Sequence, residues 1–176
     1  MSHLKVEGIV SVYRHPPGVT LCHLDEAELV ASGKNLVVDN GLEWIAKKLG
    51  HLAGTPPLQV GGTTVSSLDD LEVAEVQLGN NATPAAPDAS DTALSDLTPL
   101  ATYTSLTVTY PTATSVRWAA TIAPNTLAGE GITEIGLFLD VSATKILLAR
   151  RVFSPAVVIA PAQGYTVTYD IALSAS

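Results

Sequence analysis

Residues 165–173 alternate between apolar and polar side chains with a period of two, and this pattern most limits the fold. The apolar members are Tyr165, Val167, Tyr169, Ile171 and Leu173. Segments 106–110 and 116–122 alternate in the same way. A period of two with one apolar face is typical of half-buried antiparallel strands. Segments 132–139 and 145–153 are more continuously apolar, so we expect them to be central strands buried on both faces.

One segment has helical spacing instead. Its apolar residues at intervals of three and four are Leu42, Ile45, Ala46 and Leu49. Asn40 stands where a helix N-cap would, Glu43 where a capping-box acid would, and Gly50 is a natural C-terminal stop. The sequence therefore predicts a mainly β fold, an antiparallel β-sandwich or barrel, with one short α-helix at about residues 41–49.

Turn residues divide the chain. His15 to Gly18 contain two prolines and a glycine, which predicts a turn, with further strands at 19–30 and 34–38. Residues 1–38 are therefore expected to form an N-terminal β-hairpin or arm that packs on the main domain or is exchanged with a neighbour. Residues 39–176 form the β-sandwich, and the two parts together make one structural domain. Residues 79–99 form a polar loop, and a loop of this length is usually functional or ordered by contacts.

Charge is scarce and unevenly placed. Only 15% of residues are charged, the net charge is −8, and no Lys or Arg occurs between His51 and Val116. That segment carries the acids Asp69, Asp70, Glu72, Glu75, Asp88, Asp91 and Asp96. It is either a solvated acidic face or a surface for a basic partner or a cation. The acidic balance argues against nucleic-acid binding. A single Cys excludes an internal disulfide framework. We expect no signal peptide and no transmembrane helix.

Candidate catalytic and metal-binding patterns are weak. Cys22 and His23 are adjacent, and adjacent strand residues point to opposite faces, so they would not meet. The histidines His3, His15, His23 and His51 lack metal-ligand spacing. Segments 69–72 and 88–91 lack the ligand pattern of a calcium loop. Glu130 and Glu134 could be read as the carboxylate pair of a glycosidase, but many proteins contain such pairs. We therefore predict no catalytic, cofactor-binding or metal-binding residues, no cofactor and no enzymatic activity.

Aromatic residues bear on glycan binding, which needs exposed rings. Trp118, Tyr110, Tyr165 and Tyr169 lie on the apolar faces of the predicted strands, so we expect them in the core. Trp44 and Tyr103 are the rings whose loss would test a sugar-binding role.

Glu134 lies within an apolar strand and should be paired, since a lone buried carboxylate is unstable. Arg150 or Arg151 on a neighbouring strand is the expected partner, in a structural and not a catalytic pair. Because adjacent strand residues face opposite sides, only one of the two arginines should meet an acid. Gly136 marks a bulge or a close backbone approach. Replacing Glu134 by Ala should therefore lower stability without abolishing an activity.

Five segments in order carry a family resemblance. They lie at 34–42, 73–85, 91–94, 131–138 and 148–155, and include Asn35-Leu36-Val37, Asp91-Thr92-Ala93-Leu94, Ile132-Thr133-Glu134-Ile135-Gly136-Leu137-Phe138 and Ala149-Arg150-Arg151-Val152-Phe153. In this order they resemble a family of small tailed-bacteriophage virion structural proteins, many described as tail-fibre-like or tail-collar-like. The resemblance covers residues 30–176. The segment Thr55 to Leu71 and the pair Asn80-Asn81 depart from the family pattern.

The resemblance implies a non-enzymatic protein that assembles with itself, as a trimer or another cyclic oligomer, and with other virion proteins. It favours a tail, collar or baseplate component associated with fibres, located in the virion after synthesis in the host cytoplasm. Two alternatives remain: a capsid decoration (cement) protein that clamps major capsid proteins, and a host-glycan-binding module. Nucleic-acid and membrane partners are not expected.

Overall fold

The computed structural model describes residues 4–19, 23–50, 58–65, 71–96, 98–141 and 143–175. It contains one helix and eleven strands within these ranges. In chain order they are β1 (Leu4–Arg14), β2 (Glu28–Val37), α1 (Asp39–Gly50), β3 (Leu58–Val60), β4 (Thr63–Val65), β5 (Val73–Gly79), β6 (Ala101–Tyr103), β7 (Thr107–Thr112), β8 (Ser115–Ile122), β9 (Gly131–Val141), β10 (Thr144–Val158) and β11 (Tyr165–Ala175).

Nine strands form one antiparallel sheet in the order β6-β5-β9-β10-β2-β1-β11-β8-β7. The sheet is curled into a half-barrel, and β3 and β4 form a small second sheet. The predicted mainly β class, with antiparallel strands and one short helix, is confirmed. The expected central positions of β9 and β10 are confirmed as well, because each has a strand on both sides.

Strand β2 joins the two halves of the curled sheet. Its residues 28–35 pair with β1, whereas Leu36 and Val37 pair with Arg150 and Ala149 of β10. In this structure the N-terminal hairpin of β1 and β2 therefore lies in the middle of the sheet of its own chain. The expectation of separate strands at 19–30 and 34–38 is wrong for the described part, because residues 24–26 form turns and a single strand runs from Glu28 to Val37; residues 20–22 lie outside the described residues.

The inner faces of the two halves form the core, and a tyrosine links them. The Tyr169 hydroxyl on β11 donates hydrogen bonds to the carbonyl oxygens of Ile135 on β9 (3.0 Å) and Ala149 on β10 (3.1 Å). Trp118, Tyr165 and Tyr169 are buried, as their strand positions predict. The same expectation is wrong for Tyr110, whose side chain is 77% exposed, because β7 is an edge strand that borders an open groove.

Helix α1 begins at Asp39, earlier than the predicted start. Its first turn closes with the Leu42 amide donating to the Val38 carbonyl (3.0 Å), so Asn40 lies inside the helix and the predicted N-cap is wrong. Glu43 accepts a hydrogen bond from the Gly61 amide (3.1 Å) in the β3–β4 turn. This glutamate therefore fixes the small sheet to the helix.

Candidate functional site

A buried ion pair lies on the outer face of β9 and β10. Arg150 donates from Nε (3.1 Å) and Nη2 (2.7 Å) to Oε2 of Glu134. The Glu134 side chain is 0% exposed and that of Arg150 is 2% exposed. The predicted pairing of Glu134 with a neighbouring arginine is thus confirmed, and Arg150 is the partner.

The same two side chains hold the long loop against the sheet. Arg150 also donates to Asp91 (2.7 Å), to the Ser95 hydroxyl (2.5 Å) and to the Ala85 carbonyl (3.1 Å). The amides of Ser95 and Asp96 donate to the two carboxylate oxygens of Glu134, at 3.0 Å each. We call Glu134, Arg150, Asp91, Ser95 and Asp96 the Glu134 cluster. It explains how a loop with little regular structure is ordered by its own chain.

Two glycines provide the space that the cluster needs. A side-chain carbon on Gly79 would lie 2.6 Å from Cγ of Glu134, and 2.9 Å from Oδ2 of Asp96. A side-chain carbon on Gly136 would lie 2.8 Å from Cδ2 of Leu94, a buried residue of the loop. The neighbours of Gly136 are side chains of Phe138, Leu94 and Leu147, so the crowding at this glycine comes from side-chain packing, whereas the sequence predicted a bulge or a close backbone approach.

The charged groups of the Glu134 cluster are paired with one another or hydrogen-bonded to backbone amides. Burial of Arg150 opposes its charge, but hydrogen bonds to Asp91 and Glu134 outweigh that effect and raise the pKa of Arg150. Asp96 accepts the amides of Asn80 (2.7 Å) and Asn81 (2.8 Å). Glu134 accepts four hydrogen bonds from Arg150, Ser95 and Asp96 and is 0% exposed, so it lacks the solvent contact that a general acid or base needs.

The adjacent arginine points the other way, as strand alternation predicts. Arg151 donates to the Lys34 carbonyl (2.6 Å), and its guanidinium lies 5.6 Å from the centre of the Phe153 ring. The pair Arg150-Arg151 is therefore divided between an ion pair on the outer face and a backbone contact with β2.

A second buried carboxylate is also engaged. Glu75 accepts from Lys145 (2.6 Å) and from the Gln77 side chain (2.5 Å), and Lys145 also binds Asp140 (2.7 Å). Burial by itself would lower the pKa of Lys145. The hydrogen bonds to Asp140 and Glu75 outweigh burial, so the pKa of this lysine is raised. Glu75, like Glu134, stabilises the fold.

The remaining catalytic candidates do not assemble into a site in the described ranges. His15 is buried, with Nε2 2.8 Å from the Thr166 hydroxyl. Glu130 accepts from the Asn80 side chain (3.2 Å) instead of facing Glu134 across a cleft. Cys22, His3, His51, Asp69 and Asp70 lie outside the described residues. Among the described residues, no group of three or more His, Cys, Asp or Glu side chains could hold a metal ion.

An apolar groove of about 340 Å³ opens between α1, the β7–β8 hairpin and the end of β11. Trp44, Tyr110, Val116, Ile171 and Leu173 contribute to its lining. Trp44 is only 8% exposed, because its ring packs on Trp118 (centroids 6.1 Å apart) and its Nε1 donates to the Leu71 carbonyl (2.7 Å). Trp44 is therefore part of the wall, and Tyr110 is the exposed ring of the groove.

The groove borders a charge-free segment. Residues 97–116 contain no Asp, Glu, Lys, Arg or His, and they include both β6 and β7, the two ends of the sheet. Every residue of β7 is exposed, including Val108 at 46%. The sequence shows that this region lacks Lys and Arg, but it does not show that both edge strands of the sheet lie within the region. We call residues 97–116 the neutral edge segment.

Comparisons with known proteins add no relative. No family model, no curated protein and no solved structure matches the chain. In the parts of the chain that the structure describes, no helix combines the length and apolar character needed to cross a membrane.

Proposed function

We propose that the chain is a non-enzymatic structural protein of a tailed-bacteriophage virion, a tail, collar or baseplate component that assembles with other virion subunits. The observation that carries this proposal is the neutral edge segment. On a chain of net charge −8, both ends of the main sheet are free of charged residues. Such a surface can be buried against another subunit without desolvating ions.

The residues that carry the family resemblance support the same proposal. Three of the five segments meet at the Glu134 cluster: residues 91–94 supply Asp91, residues 131–138 supply Glu134, and residues 148–155 supply Arg150. The charged residues of these three segments hold the loop to the sheet, and a role in stabilising the fold agrees with a structural function. Each buried carboxylate described above is paired with a cation, Arg150 for Glu134 and Lys145 for Glu75, which supports a role without catalysis.

Quantitative mass spectrometry of purified phage particles tests this function. We expect peptides of the chain in intact particles, at a small fraction of the copy number of the major capsid protein, which serves as the internal standard. A copy number comparable with that of the capsid protein would favour the capsid decoration alternative. Absence from particles that contain their capsid and tail proteins would refute the virion role.

Glycan binding is a second candidate, favoured by the exposed Tyr110 ring above the apolar groove, since sugars stack on aromatic faces. A glycan array comparing the unmodified chain with Tyr110→Ala tests it. Binding that is lost in this variant would support a host-glycan module. Trp44→Ala is unsuitable for the purpose, because Trp44 is a core residue and its loss would disturb the fold.

A further inference from the structure

The apolar groove beside Tyr110 has the shape of a small-molecule site. Its floor includes Val116 of β8 and Ile171 of β11, which are paired across the two strands, together with Leu173. Helix α1 forms one wall and the β7–β8 hairpin forms the other. The volume of about 340 Å³ lies at the lower end of the range of roughly 300–1,000 Å³ for ligand pockets. The groove therefore suits one hydrocarbon chain or one ring system better than a two-chain lipid.

Apolar side chains of the groove are open to water. The Tyr110 ring on the hairpin wall is 77% exposed, and Val116 and Leu173 on the floor are half-buried. The hairpin wall continues through the short side chains of Ala113 and Thr114, which are exposed and leave the groove open beside the tyrosine. A ligand with an apolar body would remove this surface from water, and the gain grows with the area that it covers.

A cation lies in the helical wall of the groove. Lys48 follows Trp44 by four residues and Ile45 by three, and this spacing places all three on one face of α1. Lys48 is exposed, and no acidic residue is among the described residues that line the groove. Its ammonium has three donors, so a ligand can share it with another acceptor. In a chain of net charge −8, the groove is therefore a place where an anion can bind without facing a carboxylate.

The end of the helix does not cancel this positive charge. A helix C-terminus carries a partial negative charge of roughly half an elementary charge. The last turn of α1 contains both Lys47 and Lys48, whose two full charges exceed it. The net field at this end of the groove is therefore favourable for a negatively charged group.

We propose that the groove binds a small amphipathic anion, a carboxylate that carries one apolar chain or ring. The apolar body lies on the floor of the groove against Tyr110, and the carboxylate accepts from the Lys48 ammonium. A neutral ligand of the same shape lacks the second contact, and a cationic ligand is repelled at Lys48. This binding activity is separate from the proposed assembly function, since it is measured on the purified chain and either can fail alone.

Three ligands with one hydrocarbon chain and different head groups test the site. Decanoate, decanol and decylammonium have negative, neutral and positive head groups, and each is titrated below its micelle and solubility limits. Binding is followed by the fluorescence of the two tryptophans, because Trp44 lines the groove and packs on Trp118. Decanoate should bind about fivefold more tightly than decanol, the effect of one ion pair in contact with water. Decylammonium should have the lowest affinity of the three.

The two lysines of α1 provide a matched pair of variants. Lys48→Met removes the charge and keeps most of the side chain, so decanoate should then bind only about as tightly as decanol. Lys47→Met removes a charge that is not among the described lining residues, so it should change the decanoate affinity by less than about twofold. Tyr110→Ser should weaken the binding of all three ligands, because it removes the aromatic wall.

The three substituted side chains are at the surface, so all variants should keep the circular dichroism spectrum of the unmodified chain. Saturable binding in the stated order, with a loss in Lys48→Met that Lys47→Met does not show, would support the site. Absence of saturable decanoate binding, equal affinity for decylammonium, equal losses in the two lysine variants, or binding that survives Tyr110→Ser would overturn it. A neutral glycan in the groove would depend on Tyr110 but not on Lys48, so the two ligand classes are distinguishable.

Discussion

Replacing Glu134 by alanine should destabilise the protein strongly, because Glu134 stabilises both the sheet and the loop. Its two oxygens accept from Nε and Nη2 of Arg150 and from the amides of Ser95 and Asp96, and its side chain is 0% exposed. Without this carboxylate, Arg150 keeps a single acidic partner, Asp91, and two loop amides lose their acceptor.

Breaking a buried ion pair by removing one partner costs about 3–5 kcal/mol. Each amide left without an acceptor would add about 1–3 kcal/mol if water could not reach it. Asp91 still neutralises part of the Arg150 charge, and the loop can open to water, so the total should stay at about 3–5 kcal/mol. For a domain of this size, that lowers Tm by roughly 6–20 °C.

The assay is urea unfolding followed by tryptophan fluorescence and far-ultraviolet circular dichroism. A double-mutant cycle with Arg150→Met separates the pair from its surroundings, and the double variant should lose less stability than the two single losses added together. Glu7→Ala is the matched control, because Glu7 is a carboxylate on the surface whose ion pairs with Lys5 (2.8 Å) and Lys34 (3.3 Å) are solvated. A Glu134→Ala midpoint equal to that of the unmodified chain, or additive losses in the cycle, would refute the reasoning.

Three further predictions concern the core and the groove. Burial raises the pKa of Tyr169, so the stability that this tyrosine contributes is fully present below its unfolded-state pKa of about 10 and is lost as pH rises through its higher folded-state pKa. The free energy of unfolding should therefore fall above about pH 10, and it should fall less steeply in Tyr169→Phe. Gly136→Ala should cost about 1–3 kcal/mol in urea unfolding, because the added carbon would lie 2.6 Å from the Phe138 ring. Gly131→Ala on the same strand, with its nearest contact at 3.3 Å, should cost less. At low protein concentration, Tyr110→Ser should change the free energy of unfolding by less than about 0.5 kcal/mol, while Trp44→Ala should cost about 3–5 kcal/mol; a large loss in the tyrosine variant would contradict its exposed position.

The strands with regular alternation could be predicted from the sequence because each has one face on the core. Strands β8 and β11 are of this kind, and the expected segments 116–122 and 165–173 fall within them. Strand β2 is different, since it changes partner from β1 to β10 along its length and its burial follows no simple period. Its boundaries depend on tertiary pairing that local sequence does not encode.

The ion pair within the candidate site could be predicted as well, because a glutamate in an apolar strand needs a cation. Its loop partners could not. Glu134 accepts the backbone amides of Ser95 and Asp96, and any residue type can donate from its backbone. The exposure of Tyr110 could not be predicted from the local sequence either. Alternation identifies which face of the strand a residue lies on, but it does not show where the opposite half of the sheet ends.

The pairing of β1 with β11 along their whole length has a consequence for biosynthesis. Leu4 pairs with Ala175, and Arg14 with Tyr165, so the two strands farthest apart in the chain are neighbours at the centre of the sheet. Until the ribosome has translated residues 165–175, β1 and β8 both lack β11, the strand that lies between them in the sheet. Nascent chains therefore expose two strand edges until β11 has been synthesised and has left the ribosome, and folding of the sheet should be slow. Chains that stop before Tyr165 should therefore be prone to aggregate, and β11 supplied as a separate peptide should rescue them.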